Sequence, residues 1–304
     1  MNPIFVTQQM KQLRHLIILY ILAAAVESCS YIDPSDSERV GDRETEIAVK
    51  CDVDRQPQQW HFKVVDDNDA TKDYYNEKGS INVFYPLAAI LVHNIDTKHV
   101  DIVDSEEDKT TVARTVGAGR LYNGKTVCFM PDSLFSDFKE VNSSQVVQTM
   151  TLTPVSRIKT FGLQLNLKTK SGNITGCKSA IIDGMADGLN LVTLDPSSND
   201  VALVVPVVLD SATKSGQGSV AVASARITTF GKAALSQNNT MFLTLIYSNG
   251  TEKNLVIDMT GDFDNDNEGK TIVKTIDVDN EATDADDGVV TVEERETENI
   301  HISI

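Results

Sequence analysis

The sequence predicts an all-β fold, and two observations carry that prediction. The dominant hydrophobic period is two: "KTFGLQLNLK" places Phe161, Leu163, Leu165 and Leu167 on one face, with the intervening residues on the other. Short alternating runs also follow one another at intervals of about 8–12 residues, separated by Gly, Asn and Asp, which is typical of β-sandwiches. The composition, 41% hydrophobic and 23% charged, fits a folded globular body.

Individual segments show the same alternation. "TEIAVKC" aligns Ile47, Val49 and Cys51 on one face. "VALVVPVVLD" is apolar on both faces and predicts one strand, and Pro206 inside it indicates a sheet edge or a bulge. The alternation therefore predicts strands from residue 45 almost to the end of the chain.

Two local signals are more specific. "MFLTLIYSNGTEKNLVIDM" predicts a β-hairpin, and its Asn-Gly pair at 249–250 predicts a type I′ turn, which needs positive φ at both residues. "PDSLFSDFKEV" is the one segment with a helical pattern, with Asp132 as N-cap and Leu134, Phe135 and Phe138 on one face.

The N-terminal segment predicts export. An apolar run of about 11 residues, Leu16 to Val26, is shorter than the roughly 20 residues that a membrane-spanning helix needs. It follows basic residues and ends in small ones, which is the layout of a signal peptide over residues 1–28. Cys29 directly after it matches the acylated cysteine of a bacterial lipobox, whose two acyl chains would anchor the protein. Ordinary cleavage, with Cys29 as a plain residue, is the alternative.

The remaining chain divides by composition and by strand breaks. Residues 29–43, rich in Asp, Ser and Glu, predict an acidic tether. The roughly 275 mature residues fit two domains or one large β architecture. "TLTPVSR" ends one strand at Pro154 and begins another within a few residues, which predicts an N-terminal β-sandwich at 44–154 and a C-terminal one at 155–304.

Charge excludes some partners. The net charge is −17, and removing residues 1–28 changes it to −18. Such an excess of carboxylates argues against nucleic acid, whose phosphates are bound by Lys and Arg, and against electrostatic docking on anionic lipid. We therefore expect no nucleic-acid partner.

Cysteine and histidine give no catalytic or metal pattern. Cys51, Cys128 and Cys177 form no CxxC, so we expect buried thiols, with a Cys51–Cys128 bridge left open. No G-x-S-x-G elbow is present, and the four histidines of the mature chain are interpreted as polar rim residues. These histidines are His61, His93, His99 and His301. The sequence thus predicts neither an enzyme nor a cofactor.

Two weak ligand candidates remain. In "GDFDNDNEGK", Asp262, Asp264 and Asp266 alternate as oxygen donors for Ca²⁺, but the spacing to Gly269 is not that of an EF-hand, and an acidic loop is the simpler interpretation. Trp60 could stack on a sugar, although its alternate neighbours Phe62 and Val64 favour a core position.

A series of segments resembles a known family. In order they are the lipobox-like Cys29, "QQWHFKVVDD", "YPLAAILVHNIDTKHVDIV", "FMPDSLFSDF", "TLTPVSRIKTFGLQLNL", "GCKSAIIDGMADGLNL" and the closing "NIHISI". Each is a loose strand-and-turn pattern, so the specificity lies in their succession across residues 29–304. Together they resemble the fimbrillin superfamily of Bacteroidales, in particular its lipoprotein fimbrial anchor-like subunits.

This resemblance implies an architecture and a function. It implies two tandem transthyretin-like Greek-key β-sandwiches, carried by a palmitate-bearing, surface-exposed lipoprotein of the outer membrane and fimbrium. The partners would be other pilus subunits, joined by β-strand complementation, and the role would be cell adhesion.

The resemblance leaves the position in the fibre open. Anchor members of the family stay acylated, whereas shaft members are trimmed after their first strand by an arginine- or lysine-specific protease. Arg39, Arg43 and Arg55 lie early enough for such a cut. A glycan-binding surface lipoprotein of a polysaccharide-uptake system is the alternative function.

Overall fold

A computed structural model of the 304-residue chain describes residues 45–50, 59–77, 79–83, 87–105, 110–141, 149–170, 172–215 and 218–279. These residues form 21 β-strands and a single 3₁₀ turn at Asn265–Asn267, with no α-helix among them. The all-β prediction is therefore confirmed. In chain order the strands are β1 (Thr45–Val49), β2 (Trp60–Asp66), β3 (Thr71–Asn76), β4 (Ser80–Val83), β5 (Leu87–Asn94), β6 (Val100–Ser105), β7 (Thr110–Thr115), β8 (Gly117–Tyr122), β9 (Lys125–Phe129), β10 (Phe135–Glu140), β11 (Thr149–Leu152), β12 (Val155–Ser156), β13 (Lys159–Thr169), β14 (Ile174–Ala186), β15 (Gly188–Asn190), β16 (Asp200–Val204), β17 (Val208–Ser215), β18 (Gly218–Thr229), β19 (Thr240–Tyr247), β20 (Glu252–Asp258) and β21 (Thr271–Asp277).

Two sheets share the first hydrophobic core. Sheet I has the strand order β11-β1-β4, and sheet II has the order β12-β10-β5-β2-β3. Strand β2 alternates as its sequence predicts, so Trp60, Phe62 and Val64 all enter this core. The buried members of the core are Ile47, Trp60, Phe62, Val64, Ile81, Val83, Leu87, Ile90, Val92 and Leu152.

Two further sheets share the second core. Sheet III has the order β17-β18-β13-β21, and sheet IV has the order β20-β19-β14-β16-β9-β8. The four apolar residues predicted to share a face of β13 are all buried in this core. Other fully buried members include Ile182, Met185, Leu203, Met241 and Leu245.

Strand pairing crosses the position of the predicted domain boundary. Strand β9 pairs in parallel with β16, and β7 pairs with β15 in a small sheet V of order β15-β7-β6. A third apolar cluster also joins the two parts of the chain, through Leu91, Leu134, Leu189 and Phe230 among others. The division into sandwiches at 44–154 and 155–304 stays a prediction.

The helix predicted around residues 131–141 is wrong. The segment forms β10, whose residues Ser136–Glu140 pair antiparallel with β5. The Asp132 carboxylate does not cap a helix and instead accepts backbone N–H groups from Lys98 and His99, at 3.0 and 3.2 Å. Local spacing favoured a helix, but strand β5, whose paired residues lie 43 to 51 positions earlier in the chain, satisfies the backbone over five residue pairs.

The single strand predicted for "VALVVPVVLD" is also wrong. The segment contains β16 and β17, which belong to sheets IV and III respectively. Residues 205–207 separate them, and Pro206 is exposed at this crossover. Proline has no N–H to give to a ladder, so it fits the point where the chain leaves one sheet for the other.

The predicted hairpin is present, but its turn type differs. Strands β19 and β20 pair antiparallel, and between them Gly250 has φ of 80° while Asn249 keeps negative φ. The Gly250 N–H donates to the Tyr247 carbonyl at 2.9 Å. Positive φ at both residues of an Asn-Gly pair occurs instead at Asn123 and Gly124, with φ of 50° and 78°, in the two-residue turn between β8 and β9.

Candidate functional site

The first described strand lies in the middle of its sheet. On one side β1 pairs in parallel with β11, from Glu46 opposite Thr149 to Val49 opposite Leu152. On the other side it pairs antiparallel with β4. Neither β11 nor β4 has another strand partner among the residues that the structure describes. Sheet I is therefore held together by five residues near one end of the described chain.

The side chains of β1 follow the predicted alternation. Ile47 is 0% exposed in the first core, and Val49 packs against the same core from a half-buried position, whereas Glu46 is exposed. The backbone continues this pairing: the Lys50 N–H donates to the Leu152 carbonyl at 2.8 Å, and the Val49 N–H donates to Gly79 at 2.7 Å. The strand thus combines main-chain pairing on both sides with one deeply inserted apolar side chain.

The last described strand has a related arrangement. Strand β21 pairs in parallel with β13 over seven residues and forms an edge of sheet III. Ile272 and Ile276 enter the second core, while Val273 on the opposite face is exposed. Close packing accompanies this pairing, because a Cβ at Gly162 would come within 3.2 Å of the Thr271 backbone. Residues 280–304, which include the predicted closing strand "NIHISI", lie outside the described residues.

A polar cluster crosses three strands of sheet II. His61 on β2 lies directly opposite His93 on β5 and opposite Tyr75 on β3. His61 Nδ1 lies 2.8 Å from His93 Nε2, and His61 Nε2 lies 2.8 Å from the Asp73 carboxylate. His93 Nδ1 lies 3.0 Å from the Asn94 carbonyl. The Tyr75 ring stacks on His61 with centroids 4.6 Å apart.

The interpretation of the histidines as rim residues is wrong for two of them. His61 is buried, and His93 is 1% exposed. Burial lowers the pKa of His93 from its ordinary 6.5 to about 4, and the hydrogen bond to the Asn94 backbone opposes this shift. His99 is half-buried and stacks on Phe129, and His301 lies outside the described residues. Sequence reasoning missed the cluster because its members become neighbours only through strand register.

Trp60 is a core residue. Its side chain is 4% exposed, so its ring is not presented to solvent. The exposed aromatic of this region is Tyr75, which is 67% exposed. It borders a shallow cleft of about 390 Å³, which is also lined by Tyr74, Asn76, Ser80, Ile81 and Asn82. The burial of Trp60 therefore agrees with the core position that its alternate neighbours Phe62 and Val64 favour.

The three calcium-candidate aspartates lie in and beside the 3₁₀ turn. Asp262 pairs with Lys274 at 2.7 Å, and Asp264 forms an ion pair with Lys232. These lysines already offset the charge of two of the three carboxylates. Within the described ranges, no group of three or more His, Cys, Asp or Glu side chains is placed to hold a metal ion.

The cysteines divide between described and undescribed segments. Cys128 is a buried free thiol and Cys177 a half-buried one, and burial raises the pKa of both. Cys51, the other residue of the bridge left open above, lies outside the described residues, as do Cys29, the leader and the tether at 29–43. In the part of the chain that the structure covers, no helix has the length and apolar character of a membrane span.

Comparison with known proteins identifies the fold. No protein-family model and no curated protein matches the chain. The solved structure of a candidate adhesin from Bacteroides ovatus ATCC 8483 matches with a TM-score of 0.53 at 19% identity, covering 82% of this chain and 96% of that one. This score shows that the two chains share a fold.

Two other solved structures match less closely. A candidate adhesin from Bacteroides thetaiotaomicron VPI-5482 has a TM-score of 0.47 at 11% identity, covering 79% of this chain and 93% of that one. The fimbrial anchor protein Mfa2 from Porphyromonas gingivalis has a TM-score of 0.43 at 12% identity, covering 77% of this chain and 90% of that one.

The buried histidine makes stability depend on pH. Below pH 6.5 His93 takes up a proton in the unfolded chain, whereas in the folded chain it does so only near pH 4. The unfolded state is therefore favoured progressively as the pH falls from 6.5 to 4, and the stability of the folded chain decreases over that range. We expect a loss on the order of 3 kcal/mol in the free energy of unfolding. Urea denaturation from pH 7 to 4 should show a shallower pH dependence for His93→Gln than for the natural chain. The control His99→Gln should keep the natural slope; equal slopes for all three proteins would contradict the assignment.

Proposed function

We propose that this chain is a cell-surface structural protein with a role in adhesion, a fimbrial subunit or anchor that joins its partners by β-strand complementation. The observation that carries the proposal is β1, which fills the middle of sheet I and is the described strand partner of both β4 and β11. Exchange of this one strand would connect two molecules without disturbing the order of any other sheet.

The groove left without β1 has the chemistry that strand addition needs. Its walls are the main chains of β4 and β11, which would present unpaired N–H and C=O groups. Its floor is apolar, with Ile81, Val83 and Leu152 in the surrounding core. An incoming strand would gain affinity from the backbone ladder and specificity from the pocket that Ile47 now fills.

Proteolytic cleavage next to β1 would allow the exchange, and two arginines are sites for such a cut. Arg43 precedes β1 and Arg55 follows it, both outside the described residues. A cut after Arg55 would leave β1 attached to the body by non-covalent contacts alone. A cut after Arg43 would leave it covalently connected. The fold shared with the Bacteroides ovatus candidate adhesin supports the same class of role.

Limited digestion with an arginine-specific protease tests the exchange. We expect the Arg43→Ala variant, which can still be cut at Arg55, to lose the β1 fragment and form larger species on size-exclusion chromatography. The Arg55→Ala variant keeps β1 attached and should stay monomeric.

A synthetic peptide of residues 45–50, added to cut protein at about 100 times its Kd, should restore about 2.7 kcal/mol of stability. The same peptide with Ile47→Asp should not bind, because it would bury a carboxylate, whereas a peptide with Glu46→Gln should bind like the original. Cut protein that stays monomeric and gains no stability from any peptide would refute strand complementation through this groove.

We further propose that Cys29 carries the lipid that holds the protein on the outer membrane. The natively expressed protein should have a diacylated mass that begins at Cys29, and Cys29→Ala should move it to the soluble fraction. The control Cys177→Ala, in the body of the protein, should stay in the membrane fraction. An unmodified mass would contradict the anchor: a start after an early arginine would indicate a shaft subunit, and a start after the leader a secreted protein.

A second candidate function is glycan binding, favoured by Tyr75. Its ring is fixed on one side by His61 and is open to solvent on the other, beside a cleft with amide and hydroxyl groups. If the cleft binds glycans, a glycan array should give hits with the natural chain that Tyr75→Ala loses, while Tyr122→Ala in sheet IV keeps them. An array without hits would remove this candidate.

A further inference from the structure

Three hydrogen bonds in series run through sheet II, from its edge strand toward its interior. The series begins at the Asp73 carboxylate on β3, passes through His61 on β2 and His93 on β5, and ends at the Asn94 carbonyl. The successive distances are 2.8, 2.8 and 3.0 Å. We call these residues the Asp–His–His chain.

The number of protons in this chain follows from the chemistry of its ends. The Asn94 carbonyl can only accept, so His93 Nδ1 must carry a proton. One further proton must lie between His61 and His93, and another between His61 and Asp73. Three protons are therefore required. Two neutral imidazoles supply only two, so all three hydrogen bonds can form together only with one further proton, on His61 or on Asp73.

Burial decides where the additional positive charge lies. His93 is 1% exposed, whereas the side chain of Asp73 is 47% exposed, so charge is least costly at the Asp73 end. A protonated His61 beside an ionised Asp73 satisfies all three hydrogen bonds and keeps His93 neutral. Tyr75 covers the His61 ring. Lys63 and Asp104 form an ion pair at 2.6 Å, in which Asp104 raises the pKa of His93 and Lys63 lowers it.

We propose that the Asp–His–His chain is a proton-dependent latch, which reinforces the backbone pairing of edge strand β3 with β2 while it holds three protons and loosens β3 when a rise in pH removes the third. Strand β3 is the edge of sheet II, and its residues Thr71–Asp73 are exposed. Without the third proton, His61 Nε2 and the Asp73 carboxylate would face each other as two acceptors 2.8 Å apart. The Asp73 side chain is 47% exposed, so its carboxylate can turn to solvent at little cost. Strand β3 then keeps its backbone pairing with β2 but loses this side-chain hydrogen bond.

Imidazole NMR measures the proton count directly. In long-range ¹H–¹⁵N spectra of the full mature chain near pH 6, we expect both ring nitrogens of His61 to be protonated. His93 should show a protonated Nδ1 and a bare Nε2. On raising the pH, His61 should lose one proton while His93 is unchanged. A bare nitrogen on His61 throughout this range would overturn the proposal.

Hydrogen exchange measures the latch. We expect the protection of β3 amides, corrected for the intrinsic pH dependence of exchange, to fall about tenfold or more as His61 loses its proton. Strand β20, the edge of sheet IV, is the internal reference and should keep its protection. If His61 titrates but β3 and β20 respond alike, the latch is refuted even though the proton count is correct.

The Asp73→Asn variant keeps a hydrogen bond between residue 73 and His61 but no longer needs the third proton to form it. The new amide can donate N–H to the unprotonated Nε2 of a neutral His61. All three hydrogen bonds can then form with only two protons on the imidazoles. In this variant His61 should be neutral near pH 6, and the protection of β3 should no longer depend on pH. The control Asp101→Asn, which removes an exposed carboxylate from β6, should behave like the natural chain. An Asp73→Asn variant with the natural pH response would overturn the latch.

Discussion

The pairing of β1 between β11 and β4 is the constraint on which the first sandwich depends. Strand β11 follows β1 by about a hundred residues in the chain, and sheet I gains the two outer strands only when this central one is present. Buried backbone N–H and C=O groups must be paired, so the four-residue strands β4 and β11 do not form a stable sheet without β1 between them. The pairing of β1 also completes the first hydrophobic core, because it places Ile47 there.

The parallel pairs set this protein apart from a simple antiparallel meander. Strands joined by short turns can only run antiparallel, so every parallel pair requires a long connection. Here β1 pairs in parallel with β11, β21 with β13, and β9 with β16. Of these strands, β1 and β21 are the first and the last that the structure describes.

Sheet II carries the unusual polar interior. Two imidazoles and a carboxylate connect β3, β2 and β5 at positions where apolar side chains would need no hydrogen-bond partners. Buried polar groups cost stability unless all their hydrogen bonds are made, so this row favours the one strand register that makes them. The adjacent Lys63–Asp104 pair extends the polar region to sheet V, while the opposite face of sheet II remains fully apolar at Phe62, Ile90 and Val92.

The sequence by itself determined which residues face inward along the strands with clear alternation. Alternation of period two is a local property of the chain, so it identified the buried face of β13 and the inward position of Ile47 in β1. Tertiary structure decided the partners. It made β10 a strand against a helical pattern, placed β16 and β17 in different sheets, and gave two Asn-Gly pairs different turn geometries. It also brought His61 opposite His93, because strand register depends on contacts between residues far apart in sequence.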